Sequence, residues 1–298
     1  MALAMGEGLV RLATMNQENY VIEMWRYAKL LKMKSPRSDI GHQHIPNRTA
    51  TLQNVVIRIN SLGMRGPEPN DAAPHRIAII GDSIALGWGV DETQTLRGQL
   101  SRTLSPEYDV VNAGIGNMNM SQSVALWEQL SKKIKADTLV VLVTPRATTQ
   151  VTTQSPGWLV ENSELAALAT TFIQQALSGE YGKDALVAGY HKQWHSLPGK
   201  AVLTHAFDKL KLIKDETGCK IIIVSIPEMH DLIQYRFGFM EEITHDLSQK
   251  YGFDFIDPLP QLKDHPTTYY WASANDIHPN EVAFRVISGL VSRELQEE

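Results

Sequence analysis

From residue 75 onward the chain alternates short apolar runs with longer stretches of helical periodicity. The runs fall at 77–80, 110–111, 139–143, 221–224 and 253–256, each too short for a helix. The first, third and fourth are rich in Ile and Val, as strands buried on both faces are. Helical patterns lie between and after them, near 93–104, 121–134, 201–217, 236–251 and 281–296. Strands separated by helices imply right-handed crossovers and a parallel sheet covered on both faces, so the pattern predicts a three-layer α/β fold.

The first 70 or so residues have a different texture. One helical stretch, 16–34, carries Tyr20, Met24, Tyr27, Leu30 and Leu31 at helical spacing. A polar segment follows with Pro36, Pro46, Pro67 and Pro69, and with the extended run Val55-Val56-Ile57-Arg58-Ile59 among them. These positions do not make a complete core. Residues 1–74 are therefore expected as an extension packed on a main domain, 75–298. The turn at 60–68, with Gly63 and Gly66 permitting tight backbone, is expected close to the first strand. The interval after Val143 is too long for a simple crossover and contains Ser155-Pro156-Gly157 and Pro198-Gly199. With helical patterns near 162–178 and 201–217, it reads as an insertion at about 145–200. Such an insertion either stands above the carboxyl edge of the sheet, where these folds place their sites, or is a surface excursion.

Composition narrows the class. The 43% hydrophobic content of 298 residues supplies a core without disulfide or structural metal. With 28 Lys+Arg against 33 Asp+Glu the net charge is −5, which argues against a nucleic-acid partner. Cys219 is the single cysteine, so neither an intrachain disulfide nor a Cys-rich metal site can form, and its place before a strand reads as packing. His42-Gln43-His44 has no third ligand at metal spacing, and no Gly-x-x-x-x-Gly-Lys loop is present for a nucleotide. No run approaches the roughly 18–20 apolar residues of a membrane span. The start, residues 1–10, lacks a basic n-region and reads as the interior of a helix. A membrane anchor or signal ahead of Met1 would explain that, and the expectation is an exported or membrane-associated bacterial protein rather than a cytoplasmic one.

Two segments carry candidate chemistry. Gly81-Asp82-Ser83 follows the first strand, which puts a serine hydroxyl at the carboxyl edge of the sheet beside free backbone N–H groups. The same tripeptide also reads as a helix cap. Asn275-Asp276-Ile277-His278-Pro279-Asn280 precedes the last helix; there His278 can take a serine proton and a carboxylate two residues earlier can hold its tautomer. A surface loop histidine is the plainer alternative. Tyr269, Tyr270 and Trp271, just upstream, either wall a cleft or pack in the core or at its rim.

Taken together these segments resemble the GDSL/SGNH hydrolase family over most of the chain. Gly81-Asp82-Ser83 resembles its first block, Asn112-Ala113-Gly114-Ile115-Gly116-Asn117-Met118-Asn119 its second, and Asp276-Ile277-His278-Pro279-Asn280 its last. Asn60-Ser61-Leu62-Gly63-Met64-Arg65-Gly66-Pro67-Glu68, Gly87-Trp88-Gly89-Val90 and Ser225-Ile226-Pro227 resemble segments of one bacterial branch. The resemblance implies a flavodoxin-like α/β/α sandwich with a five-stranded parallel sheet, and a serine esterase that needs no cofactor. It assigns Ser83 as nucleophile, His278 as base and Asp276 as its orienting acid. The backbone N–H groups of Ser83 and of Gly116 or Asn117 would receive the oxyanion. The family's commonest last block, Asp-x-x-His, would place its acid at Asn275, so the acid moves to Asp276. The third block has no asparagine: Thr144-Pro145-Arg146-Ala147 stands there, with Arg146 the candidate to compensate and a surface acid its alternative partner. The expected substrate is an acyl ester, such as an acetyl group, of a small molecule or carbohydrate. The alternatives are an O-acyltransferase acting on a surface carbohydrate and a catalytically weakened binding or assembly subunit.

Overall fold

The computed structural model describes residues 2–151, 157–178 and 182–297; Ser155 and Pro156 of the expected insertion lie outside them. The chain begins with helices α1 (Ala2–Ala13) and α2 (Tyr20–Leu31), the second started by the Asn19 side chain, which accepts from Ile22 N–H. Where periodicity alone predicts one helix over 16–34, α2 stops at Leu31. Lys32–Lys34 instead forms strand β1, paired antiparallel with β2 (His42–His44). Strands β3 (Arg48–Leu52) and β4 (Val55–Ile59) form a hairpin in which Leu52 faces Val55. Its two-residue turn, Gln53-Asn54, has φ of 49° and 61°. Two left-handed residues match the right-handed twist of the flanking strands.

The main unit then runs β5 (His75–Ile80), α3 (Ser83–Leu86), α4 (Leu96–Leu104), β6 (Tyr108–Asn112), α5 (Met120–Leu130) and β7 (Thr138–Val143). It continues with α6 (Trp158–Asn162), α7 (Glu164–Ser178), α8 (Gly182–His195), α9 (Leu197–Thr217), β8 (Lys220–Ser225), α10 (Gly238–Tyr251) and β9 (Asp254–Ile256). A short hairpin, β10 (Trp271–Ser273) and β11 (Asp276–Pro279), leads into α11 (Glu281–Gln296). Strands β5–β9 form one parallel sheet in the order β6-β5-β7-β8-β9. Alternate residues of each strand feed two separate cores. Ala78, Ile80, Leu139, Val141 and Ile223 meet Trp127, Phe207, Leu210 and Met240 on one face. Ile77, Ile79, Val140, Leu142 and Val224 meet Leu100, Phe284, Ile287 and Val291 on the other. Burial of both faces is why these strands read as unbroken apolar runs. The order reverses at β5, so the crevice at a topological switch point opens beyond the carboxyl ends of β5 and β7.

The extension and the segment between β7 and β8 pack on each other above that crevice. Arg26 of α2 grips Glu164 at the start of α7 with two hydrogen bonds, each 3.0 Å, and Trp25 Nε1 donates to the Val160 carbonyl at 2.6 Å. The turn at 60–68 meets the sheet at β6, the edge strand beside β5, because both edges of β5 are already paired. Arg65 N–H donates to Asn112 O at 3.0 Å. The Arg65 guanidinium, 1% exposed, donates to the carbonyls of Leu86 (3.0 Å), Gly87 (2.6 Å) and Val90 (2.7 Å). It thereby stitches the loop after α3 to the extension. No helix among the described residues is long and apolar enough to cross a membrane.

Removing that guanidinium strands the Val90 carbonyl and leaves those of Leu86 and Gly87 with only longer bonds, from Asn112 Nδ2 at 3.2 Å and Val90 N–H at 3.4 Å. Hydrogen bonds to charged groups contribute about 1.5–3 kcal/mol each and are not additive, so Arg65→Met should lose roughly 3 kcal/mol of stability. A urea midpoint within error of the wild type would show that the stitch is ornamental.

Candidate active site

Strand β5 ends against Gly81, whose φ is +150°; a Cβ there would lie 2.9 Å from Ala85 Cβ and 3.2 Å from Leu142. Glycine therefore lets the following turn sit tight against β7. Asp82, not Ser83, is the helix cap: its carboxylate accepts from Ile84 N–H at 3.0 Å and from Thr144 Oγ1 at 2.6 Å. Ser83 is thus left with its hydroxyl unused by the helix. It is 6% exposed, and its Oγ lies 2.8 Å from His278 Nε2.

His278 comes from β11, and its Nδ1 lies 2.6 Å from Asp276 Oδ1. A carboxylate only accepts, so Nδ1 carries the proton and Nε2 is left to accept from the serine. The same Oδ1 accepts from the backbone N–H of His278 at 3.0 Å. Its other oxygen accepts from Trp88 Nε1 at 3.0 Å and Gln53 Nε2 at 2.6 Å. Burial raises the carboxyl's pKa, but the bonds from His278 and Gln53 outweigh it and hold Asp276 below its usual range. Asn275 sits exposed at the rim, its backbone N–H on Ser273 Oγ, and does not pair with the histidine.

The second block divides the two candidate oxyanion positions. The Gly116 N–H donates to Tyr27 Oη at 3.0 Å, so it is spent on the extension and the Gly116 candidacy is corrected on that ground. Asn117 follows with φ of 63°, and its N–H, like that of Ser83, has no protein acceptor among the described residues. In the third block, Thr144 is committed to Asp82. Arg146 is exposed on the cavity wall and donates through Nη2 to Asn117 Oδ1 at 3.1 Å. It has no carboxylate partner among the described residues, so the surface ion pair held open for it is absent.

Ser83, Asn117, Arg146, Asp276 and His278 line one cavity of about 930 Å³. Its roof comes from elsewhere in the chain: Tyr20, Met24 and Trp25 of α2, Thr171 of α7 and Tyr190 of α8. The Tyr20 ring lies 5.7 Å from that of His278. Burial pushes both Tyr20 and Tyr190 up to about 12, against the opposing charge of Arg146, so both phenols stay neutral hydroxyls. A second pair faces the cavity: His230 Nδ1 lies 2.5 Å from the buried Glu228 carboxylate, a bond that raises the histidine's pKa.

Other sequence candidates resolve differently. Tyr270 is buried in a separate core with Leu232 and Leu262, and Trp271 Nε1 donates to the Met229 carbonyl at 2.6 Å; neither lines the cavity. Tyr269 is exposed away from it. Cys219 is buried, its thiol pushed up to about 12 by that burial. His42 and His44 use their rings on backbone and on Tyr27. No group of three ligating side chains that could hold a metal occurs among the described residues. Gln53, Tyr20, Tyr27 and Tyr190 had no signal in the sequence, because each reaches the site only through a hairpin turn or a helix face set by packing.

No protein-family model matches the sequence, and no curated protein matches it. Among solved structures it is similar to TesA (TM-score 0.48, 16% identity, 74% of this chain and 98% of that one). It is similar also to LAE5, an alpha/beta hydrolase enzyme from the metagenome of Lake Arreo, Spain (0.45, 13%, 74% and 94%). A third is Axe2, an acetylxylan esterase from Geobacillus stearothermophilus (0.45, 16%, 74% and 94%). The chemistry of the site rests on its own side chains.

Two outcomes are expected. Asp276→Asn should lower any turnover at Ser83 by about 10⁴, since the amide favours the wrong imidazole tautomer, while Asn275→Ala changes it little. Equal losses in the two variants would remove Asp276 from the relay. The second concerns acid. Burial pushes His44 down to about 3, whereas an unfolded chain's histidine titrates near 6.5. The unfolded state therefore binds the proton first, so the stability tied to neutral His44 is whole above about pH 6.5 and drains away towards pH 3. The urea midpoint should fall between pH 7 and pH 4.5, and less steeply in His44→Gln; parallel slopes would exclude His44 as the source.

Proposed function

We propose that the protein is a serine esterase of the GDSL/SGNH type, acting on an acyl ester such as an acetylated carbohydrate. The observation that carries this reading is the continuous relay from Ser83 Oγ to His278 at 2.8 Å and from His278 to Asp276 at 2.6 Å, opening on a cavity large enough for a sugar ester.

Ser83 Oγ attacks the ester carbonyl while His278 Nε2 takes its proton, and Asp276 stabilises the imidazolium that forms. The carbonyl oxygen becomes an oxyanion, received by the N–H groups of Ser83 and Asn117. Collapse breaks the ester C–O bond; His278 returns the proton to the leaving alcohol and Ser83 keeps the acyl group. Water, deprotonated by the same histidine, then attacks the acyl carbon; the bond from Ser83 Oγ to that carbon breaks, the histidine returns the proton to Oγ, and the acid leaves. Every proton is handled by one imidazole, so the base needs no second partner. The neutral Tyr20 and Tyr190 hydroxyls and the Glu228–His230 pair are polar groups suited to sugar hydroxyls. A second reading is transfer of the acyl group to another carbohydrate hydroxyl. It is favoured by the cavity volume of about 930 Å³, which leaves space for an acceptor beside the acyl-serine.

A fluorophosphonate probe should label the wild-type chain at Ser83, with labelling abolished in both Ser83→Ala and His278→Ala. Hydrolysis of p-nitrophenyl acetate should disappear with it. Peptide mapping that finds the adduct on another residue, or none on folded protein, would defeat the esterase reading. Acetyl appearing on an added sugar rather than as free acetate would select transfer.

A further inference from the structure

The peptide group between Gly116 and Asn117 is gripped at its carbonyl end by the amino-terminal extension. Gly116 O accepts from Lys32 Nζ at 3.2 Å and from His42 Nε2 at 3.1 Å. The residue's own N–H is tied to Tyr27 Oη, which in turn lies 2.7 Å from His44 Nε2. His44 Nδ1 faces the Gly63 carbonyl at 2.9 Å; Nδ1 must donate there, so Nε2 accepts and the Tyr27 hydroxyl donates to it. Four extension side chains thus converge, directly or through Tyr27, on one glycine, and a Cβ on that glycine would sit 2.8 Å from the Tyr27 ring.

The opposite end of this same peptide group is the Asn117 N–H, which has no protein acceptor among the described residues and belongs to a residue lining the cavity with Ser83. A trans peptide is planar, with C=O and N–H antiparallel, so fixing the oxygen fixes where the N–H points. Donors on the oxygen also draw electron density through the amide and strengthen the N–H as a donor. A cation does this best. Lys32 is pinned for the purpose: its ammonium also lies 5.0 Å over the Tyr27 ring. Burial lowers its pKa to about 8, which leaves it mostly charged at neutral pH. His42, lowered to about 4 by burial and by the charge of Lys32, is neutral there and still has one N–H to give. The left-handed φ of 63° at Asn117 is a strained conformation that persists only where neighbours hold it.

We propose that Lys32 and His42 are positioning residues that orient and polarise the Asn117 N–H as the oxyanion donor. This rests on the serine-esterase reading. It supplies what the third block lacks: with no asparagine after β7 and Thr144 committed to Asp82, the oxyanion depends on two backbone donors, and one of them is reinforced from behind. The extension is then part of the catalytic apparatus rather than only its roof.

The test uses the full chain, p-nitrophenyl acetate, and phenylboronic acid, whose tetrahedral serine adduct places an oxygen in the oxyanion site. Removing an oxyanion donor outright lowers kcat by about 10²–10³. Weakening one through Lys32→Met should lower kcat by roughly tenfold, with KM changed by less than about twofold. Phenylboronic acid should bind more weakly by the same factor, and Lys32→Arg, which keeps the cation, should recover most of both. Where Lys32→Met fails to fold, His42→Phe is read in the same way. Unchanged kcat, or reduced kcat with undiminished boronate affinity, in a chain still labelled at Ser83 would overturn the positioning role alone. Absence of Ser83 labelling in the wild type would overturn the esterase reading and this proposal with it.

Discussion

A carboxylate taken out of water must recover its hydrogen bonds from the protein, and Asp276, 3% exposed, recovers them from three separate parts of the chain. His278 supplies two donors from the same hairpin, Trp88 one from the loop behind Ser83, and Gln53 one from the extension. Each donor arrives only when its own element is in place. The turn carrying Gln53 is held by the buried Glu23 carboxylate, which accepts from Gln53 N–H at 2.7 Å. Glu23 is also paired with Arg26, and Arg26 reaches Glu164 on α7. Formation of the relay is therefore linked, through two successive buried carboxylates, to docking of the extension and of the segment between β7 and β8.

This arrangement separates two jobs. The parallel sheet with its two apolar cores is stabilised by non-directional burial and sets the crevice at the ends of β5 and β7. Directional bonds then decide what the crevice can do, and many of them come from outside the sheet. Arg65 fastens the loop after α3; Tyr27, Lys32 and His42 fasten the loop after β6. The carboxyl edge of a bare α/β sandwich becomes a walled cavity, still open to solvent, because α2, α7 and α8 are laid beside and over it.

Unusual backbone is concentrated where these directional bonds meet. Gln53 and Asn54 adopt left-handed conformations at the turn that delivers a donor to Asp276, and Asn117 adopts one beside Ser83. Such conformations oppose folding by roughly 1–3 kcal/mol each for residues with side chains, so they endure only under several restraints at once. Here the restraints are visible: Glu23 on the Gln53 N–H, and Arg146 on the side chain of Asn117 with the Gly116 clamp immediately before it.

The sequence by itself determined the layered sheet, because burial on both faces imposes unbroken Ile- and Val-rich runs that are a local property of the chain. It also contained Ser83, Asp276 and His278, because each lies in a short local motif, although Ser83 stands 195 positions before His278. The resemblance to a known family left Gly116 and Asn117 undecided, since two adjacent residues on one loop differ only in which way their N–H groups face. That choice came from Tyr27, 89 positions earlier in the chain, taking one of them. The strand at Lys32–Lys34, read from periodicity as helix, was likewise decided by its partner His42–His44. Gln53 reaches Asp276 across 223 positions and through a Gln-Asn turn without the usual glycine, so no local pattern announces it. Periodicity records which face of an element is dry; it does not record which distant donor will meet a buried acceptor, because that depends on how finished elements dock.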